Sequence, residues 1–573
     1  MRLFICMVFV MGWLGCQNKR QPVDLVLTNG VIHTVEEKNP AAQAIAIAGD
    51  RIVFVGSTAA AQNWVSGQTR VIDLRGKTVV PGLTDSHYHF QGVGKRAFDL
   101  NLDGCKSLDE FLSRIQNWTT GKQPDDWITG RGWMEEDWLD KKFPTRTELD
   151  RIVPELPVYL NRADGHMALV NSKALELAGI TAETPNPPGG EILKDERGKP
   201  NGLLVDKAMG LVNKFIPSSS PEMQEKFALK ANEVALAYGL TTIHDAGSGW
   251  ETIDLWKRLY GEGKMQIRIY EFVRGPGGNV DSLLENGPQI GLFDHRLAVR
   301  GIKISIDGAL GSRGAALLEN YSDENTHGLF LFTDEQVYPT IKAATEKGLQ
   351  VAIHAIGDAA NRKVLDLYER AFNEVPPEQR KIVEPRFRIE HAQIVDPADI
   401  PRFKKLGVIP SMEASHAIGD LHFAVRRLGL NRLNGAYAWR TFIDQGNYIA
   451  GGSDAPVEEG NPLIEFYASV ARRDTTGFSA AGWHPELAMT REEALKSLTI
   501  WGAMAAFEED LKGSLTPGKL ADLVVLDRDL MTAPENELFQ IKVLMTMVGG
   551  EIVFESAAMK AVAQKKFVAE PRL

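Results

Sequence analysis

The sequence predicts an α/β protein, a (β/α)8 TIM-like barrel with a small β-sandwich domain formed from both termini. Three observations predict it. The middle of the chain alternates apolar, strand-like runs with helical stretches, the pattern of strand-helix units around a parallel sheet. Eight such runs can be counted, the number that closes a barrel. Short alternating strands crowd both ends, so that one small sheet domain draws on each terminus.

The 573 residues suffice for a large core and more than one structural domain, and 44% hydrophobic with 24% charged residues are ordinary globular values. Basic residues number 64 against 75 acidic, a net charge of −11. With no basic run or aromatic-basic stripe, nucleic acid is not an expected partner.

Residues 1–16, "MRLFICMVFVMGWLGC", place Arg2 before an apolar stretch too short for the ~20 residues that span a bilayer as a helix. They read as an export signal whose "WLGC" ending resembles a bacterial lipoprotein cleavage site, with Cys16 the lipidated first residue. Gln17 after it resembles outer-membrane sorting in Gram-negative bacteria. The expectation is a periplasm-facing lipoprotein that meets the membrane only through its anchor. With Cys6 removed and Cys16 lipidated, Cys105 is the one thiol left, and no internal disulfide can form.

Next come "DLVLTNGVIHTV", "AIAIAGDRIVFVG" and "TRVIDLRGKTVV", alternating strands broken at Asn29-Gly30 and Gly49-Asp50, both hairpin signals. Together with "ADLVVLDRD" and "VLMTMVGGEIVFE" near the end, they assign 23–80 plus 505–556 to the sandwich and 81–504 to the barrel. The barrel strands are expected in "VVPGLTDSHYHF", "LTTIHDAG", "IRIYEFV", "GIKISIDG", "LQVAIHAIG", "FRIEHAQ", "GVIPSM" and "YIAGGSDAP". A further run, "PVYLNRADG", falls between the first and second and is assigned to an insertion at about 100–235. Ser107 with Glu110, and Thr490 with Glu493, have capping-box spacing and mark helix starts.

The fourth run alternates Ile302, Ile304 and Ile306 with Lys303, Ser305 and Asp307. In a barrel the isoleucines meet the outer helices and the lysine points inward. His87 and His89 lie two apart, on one face of an extended strand, where both imidazoles can reach one metal ion. His354, His391 and Asp454 each fall near the end of another strand, where active-site residues of this fold gather. Four histidines and a carboxylate at the ends of strands one, five, six and eight are costly to bury unpaired, which points to a site rather than to packing.

Taken in order, "VVPGLTDSHYH", "GRGWMEEDW", "DGHMALVNSKAL", "GLTTIHDAG", "IKISIDGALGSR", "VAIHAIGD", "RIEHAQ", "GGSDAP" and "LTPGKLADLVVLD" resemble the metal-dependent amidohydrolase superfamily, in the amidohydrolase family 3 branch similar to N-substituted formamide deformylases. The resemblance implies that His87 and His89 bind one divalent metal, and that His354 and His391 bind a second. It implies that Asp454 binds the first while shuttling protons, and that Lys303 is N-carboxylated and bridges both ions. Two zinc ions are the expected cofactors, although iron, manganese or nickel suit the same ligands. A lysine with a pKa near ~10.4 would present a cation to two cations, whereas a carbamate is an anion, and burial lowers the pKa in the direction that frees the amine for carbon dioxide. The alternative is an unmodified Lys303 paired with Asp307 over a single metal.

The expected chemistry is hydrolysis of a C–N bond of a small molecule, an N-acyl or N-formyl amine or cyclic amide rather than a peptide, by a metal-activated hydroxide. Asp454 is its general base and then its general acid. A mononuclear deaminase on the same barrel, or a non-catalytic lipoprotein binding a solute or metal, are the other readings. His166, Asn171, Arg313 and Trp133 are candidate substrate contacts. Each has a structural alternative: a loop or cap role for His166 and Asn171, an ion pair with a carboxylate such as Asp307 for Arg313, and the insertion's own core for Trp133 with Trp127 and Trp138. His244 is a candidate support behind the ligands. His33, His295, His327, His416, His422 and His484 receive no role. Cys16→Ser is expected to leave the precursor unlipidated; fatty-acid label still entering that variant would refute the anchor.

Overall fold

The computed structural model describes residues 23–123, 126–479 and 482–563. Residues 1–16, read from sequence as an export signal ending at Cys16, lie outside the described residues. Eight parallel strands form the barrel: β1 (Leu83–Tyr88), β2 (Leu240–Ser248), β3 (Arg268–Arg274), β4 (Leu297–Ser305), β5 (Gln350–Ala355), β6 (Arg388–His391), β7 (Ile409–Glu413) and β8 (Ala450–Gly452). Each pairs with its chain neighbour. The seam between β8 and β1 closes through Asp454 N donating to His87 O at 2.7 Å, His89 N to Ala455 O at 2.7 Å, and Ser453 Oγ to Asp85 Oδ2 at 2.5 Å. All eight predicted runs are therefore barrel strands.

The alternation in β4 works as the sequence predicts. Ile302, Ile304 and Ile306 are buried in the main core between barrel and helices, while Lys303 and Ser305 line the interior cavity. Most of the barrel's hydrophobic burial lies on that outer layer, which leaves the inner face free to carry polar chemistry.

The sandwich has two sheets. Leu25–Thr28, Ala44–Ala48, Arg51–Gly56 and Arg70–Asp73 form one; the other mixes the N-terminal strands Val31–His33, Ala41–Ala42 and Thr78–Pro81 with the C-terminal Leu523–Leu526, Val543–Val548 and Glu551–Glu555. Their inner faces share a core that includes Leu27, Ile45, Ile47, Val525 and Met545. Gly49-Asp50 turns a hairpin between Ala44–Ala48 and Arg51–Gly56. Asn29-Gly30 does not: the strands on either side of it pair in different sheets, so this turn carries the chain across the sandwich. The run "VVPGLTDSHYHF" is also two strands. It breaks at Gly82, where a Cβ would stand 2.2 Å from Thr241 Oγ1, and passes there from sandwich to barrel.

Between β1 and β2 the strands Leu100–Asn101, Ile128–Trp133, Val158–Arg162, Met167–Val170, Gly190–Lys194 and Pro200–Asp206 make a separate sheet with its own apolar clusters. The long helix Pro221–Ala237 packs instead on the barrel, through Ala228, Ala231 and Ala235. Thr490 and Glu493 form a reciprocal capping box. Ser107 caps Glu110 N, but the Glu110 carboxylate turns to Lys106 N. Among the described residues no helix is long and apolar enough to cross a membrane.

The helix Phe90–Arg96, which follows His89 directly, is pressed so closely against Pro221–Ala237 that a Cβ on Gly94 would lie 1.8 Å from the Phe227 carbonyl oxygen. Because backbone rather than a flexible side chain must give way, Gly94→Ala is expected to cost about 3 kcal/mol. A lowered urea midpoint checks this; an unchanged midpoint would contradict it.

Candidate metal centre

The strand ends deliver their polar side chains to one buried cluster. His87 is the last but one residue of β1, and His89 caps the start of Phe90–Arg96, the two rings 5.5 Å apart. His391 and Asp454 have backbone φ of +71° and +58°, the left-handed region that ordinary side chains avoid at a cost of about 1–3 kcal/mol. Those turns redirect both side chains into the mouth of the barrel. One ligand atom from each of His87, His391 and Asp454 can be found within 4.8 Å of the others. His89 Nε2 is 3.0 Å from Asp454 Oδ1, and Lys303 Nζ is 3.4 Å from His87 Nε2. His354 stands slightly apart: its ring is 4.5 Å from that of His391, with Nε2 3.4 Å from the Gly308 carbonyl.

Carboxylates fix the imidazoles from behind. His87 Nδ1 donates to Glu390 Oε2 at 2.5 Å and His391 Nδ1 to Glu413 Oε2 at 2.8 Å, leaving each Nε2 for a ligand role. Burial holds His87, His354 and His391 well below the usual imidazole range, and hence neutral, as metal ligation requires. Burial would raise Asp454, but the hydrogen bond and charge of His89, with His391 and His416, hold it below the usual carboxylate range. Apart from the His89 imidazole 3.0 Å away, its buried Oδ1 meets no donor, and Glu413 Oε1 is buried with none. A divalent cation supplies what these orphaned oxygens lack, so the donor set fits one.

Lys303 is buried, and burial lowers its pKa while Glu390 and Asp454 oppose the shift. Asp307 is not its counter-ion. Both Asp307 oxygens are taken by the amides of Ile356, Gly357 and Ala316. The salt bridge considered from sequence is therefore absent.

The structure distributes the substrate candidates unequally. His166 lines the cavity, its Nδ1 held by Asp206 Oδ1 at 2.7 Å, and that hydrogen bond together with the nearby carboxylates overcomes burial and raises its pKa to about 9. Asn171 does not reach substrate: it is fully buried as the cap of helix Ser172–Ala178, where Oδ1 accepts from Ala174 N and Val158 N. Trp133 lies in the insertion's core, with Nε1 donating to Leu160 O, and Trp138 is beside it. Arg313 pairs with Asp323 at 2.9 Å instead of meeting the cavity or Asp307.

Sequence reasoning missed Glu390 and Glu413, although each lies beside or shortly before a histidine at a strand end. It also missed Arg388, which donates to Glu390, Ser411 Oγ, Ser86 O and His244 Nδ1. This ties His244 to Arg388 behind the histidine cluster. His416, left without a role, stacks on His391 and brings Nε2 to 3.7 Å from Asp454 Oδ2. The cavity has two lobes that meet at Asp454, His166 and His354: one of about 520 Å³ over Lys303, and one of about 380 Å³ beside His416. Glu413→Ala should lower metal affinity about 10–100-fold by freeing the His391 ring. Chelator competition on protein with an unchanged melting curve measures this; unaltered affinity would show the clamp to be dispensable.

Comparison with known proteins agrees with this geometry. The chain is 30% identical over 552 residues to N-substituted formamide deformylase of Arthrobacter pascens, covering 93% of this chain and 98% of that protein. It is 36% identical over 542 residues to Protein LONG AFTER FAR-RED 3 of Arabidopsis thaliana, covering 93% and 91%. Among solved structures, an uncharacterized metal-dependent hydrolase from Pyrococcus horikoshii OT3 superposes with a TM-score of 0.70 at 29% identity, covering 89% of this chain and 99% of the other. The family model described as "Amidohydrolase family" matches residues 70–554, and the chain belongs to that family of metal-dependent hydrolases.

Proposed function

We propose that the protein hydrolyses a C–N bond of amide type in a small molecule, an N-acyl or N-formyl amine or a cyclic amide. The observation that carries this is the convergence of His87, His391 and Asp454 ligand atoms beside a buried Lys303, at the junction of two cavity lobes. The similarity to a protein named N-substituted formamide deformylase supports the bond type.

In this reading His87, His89 and Asp454 hold one divalent ion, His354 and His391 hold a second, and Lys303 as its carbamate serves both. When bound, such ions activate water and polarise a carbonyl at neutral pH. The chain's own residues do the rest. Asp454, below its usual pKa and bordering both lobes, receives a proton from water at its carboxylate and returns it to the departing nitrogen. His166, its Nδ1 fixed by Asp206, leaves its other nitrogen to orient the substrate carbonyl. Glu390 and Glu413 keep the ligand rings aimed.

Lys303→Ala removes the amine while the Ile302, Ile304 and Ile306 face keeps β4 packed. It is expected to lower metal content at one or both sites and to abolish most hydrolysis, with short carboxylic acids restoring part of it. Asp454→Asn should keep the protein folded and leave turnover of N-formyl and N-acyl amines down by about 100-fold or more. Full metal content and normal turnover in the alanine variant would overturn the binuclear reading; failure of the metal-replete wild type on every amide tested would overturn the bond type.

A further inference from the structure

The two lobes differ in their charged lining, although burial in the smaller one pushes Asp420 up to about 7, Glu465 up to about 8 and Glu458 upward as well, so its acids are only partly ionised at neutral pH. The smaller is lined by Asp103, Asp420, Glu458, Glu459, Glu465 and Asp474. Its cations are already taken, Lys106 by Asp137 at 3.0 Å and Arg162 by Glu135 at 2.8 Å. The larger lobe, over Lys303, is lined by Arg131 from the insertion and Arg274 from the end of β3. Both make hydrogen bonds only to carbonyls: Arg131 Nη2 to Ala163 O at 3.0 Å, and Arg274 Nε and Nη2 to Gly247 O at 3.0 and 2.9 Å.

The carboxylates of the larger lobe are engaged elsewhere. Asp245 accepts from Phe90 N and Ser248 Oγ, Asp164 from Arg162 and His166 N, and Asp454 lies against His89. Two guanidiniums thus face one cavity, and among the described residues neither has a carboxylate within ion-pair distance. Burial, with the Arg96 cation nearby, pushes Arg131 down to about 10 although Asp454, Asp103 and Asp99 oppose the shift. An unpaired, partly desolvated guanidinium is costly, and the group that best satisfies it is a planar anion taken by its paired donors.

We propose that Arg131 and Arg274 form a carboxylate-binding subsite, and that the substrate is an amide whose acyl part carries a carboxylate. This rests on the amide-hydrolase reading above. The guanidiniums set the orientation: they draw the anion into the larger lobe, and the amine, which departs as an ammonium ion, faces the smaller lobe beside Asp103, Glu459 and Asp474. In balance, water adds its oxygen to the acyl carbon, the C–N bond breaks, and the nitrogen takes both of the water's protons, giving a dicarboxylate and an ammonium. The insertion, through Arg131, therefore selects what the barrel cleaves.

The probes are N-benzyl succinamate, its neutral counterpart N-benzyl butanamide, and N-butanoyl 4-(aminomethyl)benzoate, which carries its carboxylate on the amine side. Wild-type, metal-replete protein is expected to prefer the succinamate, and Arg131→Gln to cut the succinamate-to-butanamide ratio of kcat/KM about 30-fold, mainly through KM. Arg131→Lys, which keeps the charge but loses the paired donors, should fall between. Succinate titrated calorimetrically into the metal-loaded protein should bind, and bind about 10-fold or more weakly in Arg131→Gln. Equal turnover of charged and neutral amides, preference for the benzoate, or a ratio and succinate affinity unchanged in the variant would overturn the subsite. Should no amide be cleaved, the reaction assignment fails while succinate binding still decides the subsite. If Arg131→Gln does not fold, Arg274→Gln read by the same ratio and titration decides it.

Discussion

The guanidinium of Arg388 is the interaction on which the site depends. From β6 it reaches Glu390 on its own strand, Ser86 O on β1, Ser411 Oγ on β7 and His244 on β2, joining four of the eight strands inside the barrel. Glu390, held at 2.7 and 2.8 Å by that arginine, in turn fixes His87 Nδ1. A buried ion pair of this kind adds little net stability, because desolvation offsets the attraction. Its value here is positional. Only a planar group with several directed donors can hold one carboxylate oxygen steady enough to aim an imidazole on a neighbouring strand.

This arrangement explains why the barrel separates stability from chemistry. The outward side chains of its strands pack on helices and supply the hydrophobic burial, so the inward face can hold histidines, carboxylates and a lysine in a space that no apolar core needs. Two residues of the cluster, His391 and Asp454, pay for their direction with left-handed backbone. The hydrogen bonds across the β8–β1 seam fix the backbone around Asp454. Chemistry is thus a property of the strand ends, while the contents of the cavity are divided by the insertion and the loops after β7 and β8.

The barrel was legible because period-two alternation is a local signal, and the four histidines, Lys303 and Asp454 were legible because each sits near the end of such a run. What escaped depended on distant contacts. Asn29-Gly30 has hairpin chemistry, yet the strands flanking it find partners in separate sheets. Arg388 and Glu390 look like the polar face of any strand until the barrel places Ser86 and His244 beside them. Asn171 and Trp133 carry polar atoms that suit a ligand equally well as a helix cap or a core hydrogen bond, and folding of the insertion assigns them to the latter. The lining of the smaller lobe brings together residues more than 300 positions apart, Asp103 with Asp474, beyond what any motif records.

Anomalous diffraction from crystals of the zinc-loaded protein tests the central claim most directly, because it counts the ions and locates them among their ligands. The binuclear centre predicts two peaks, one beside His87, His89 and Asp454 and one beside His354 and His391, with density beyond Lys303 Nζ for a carbamate reaching both. A single peak beside an unmodified Lys303 would contradict it.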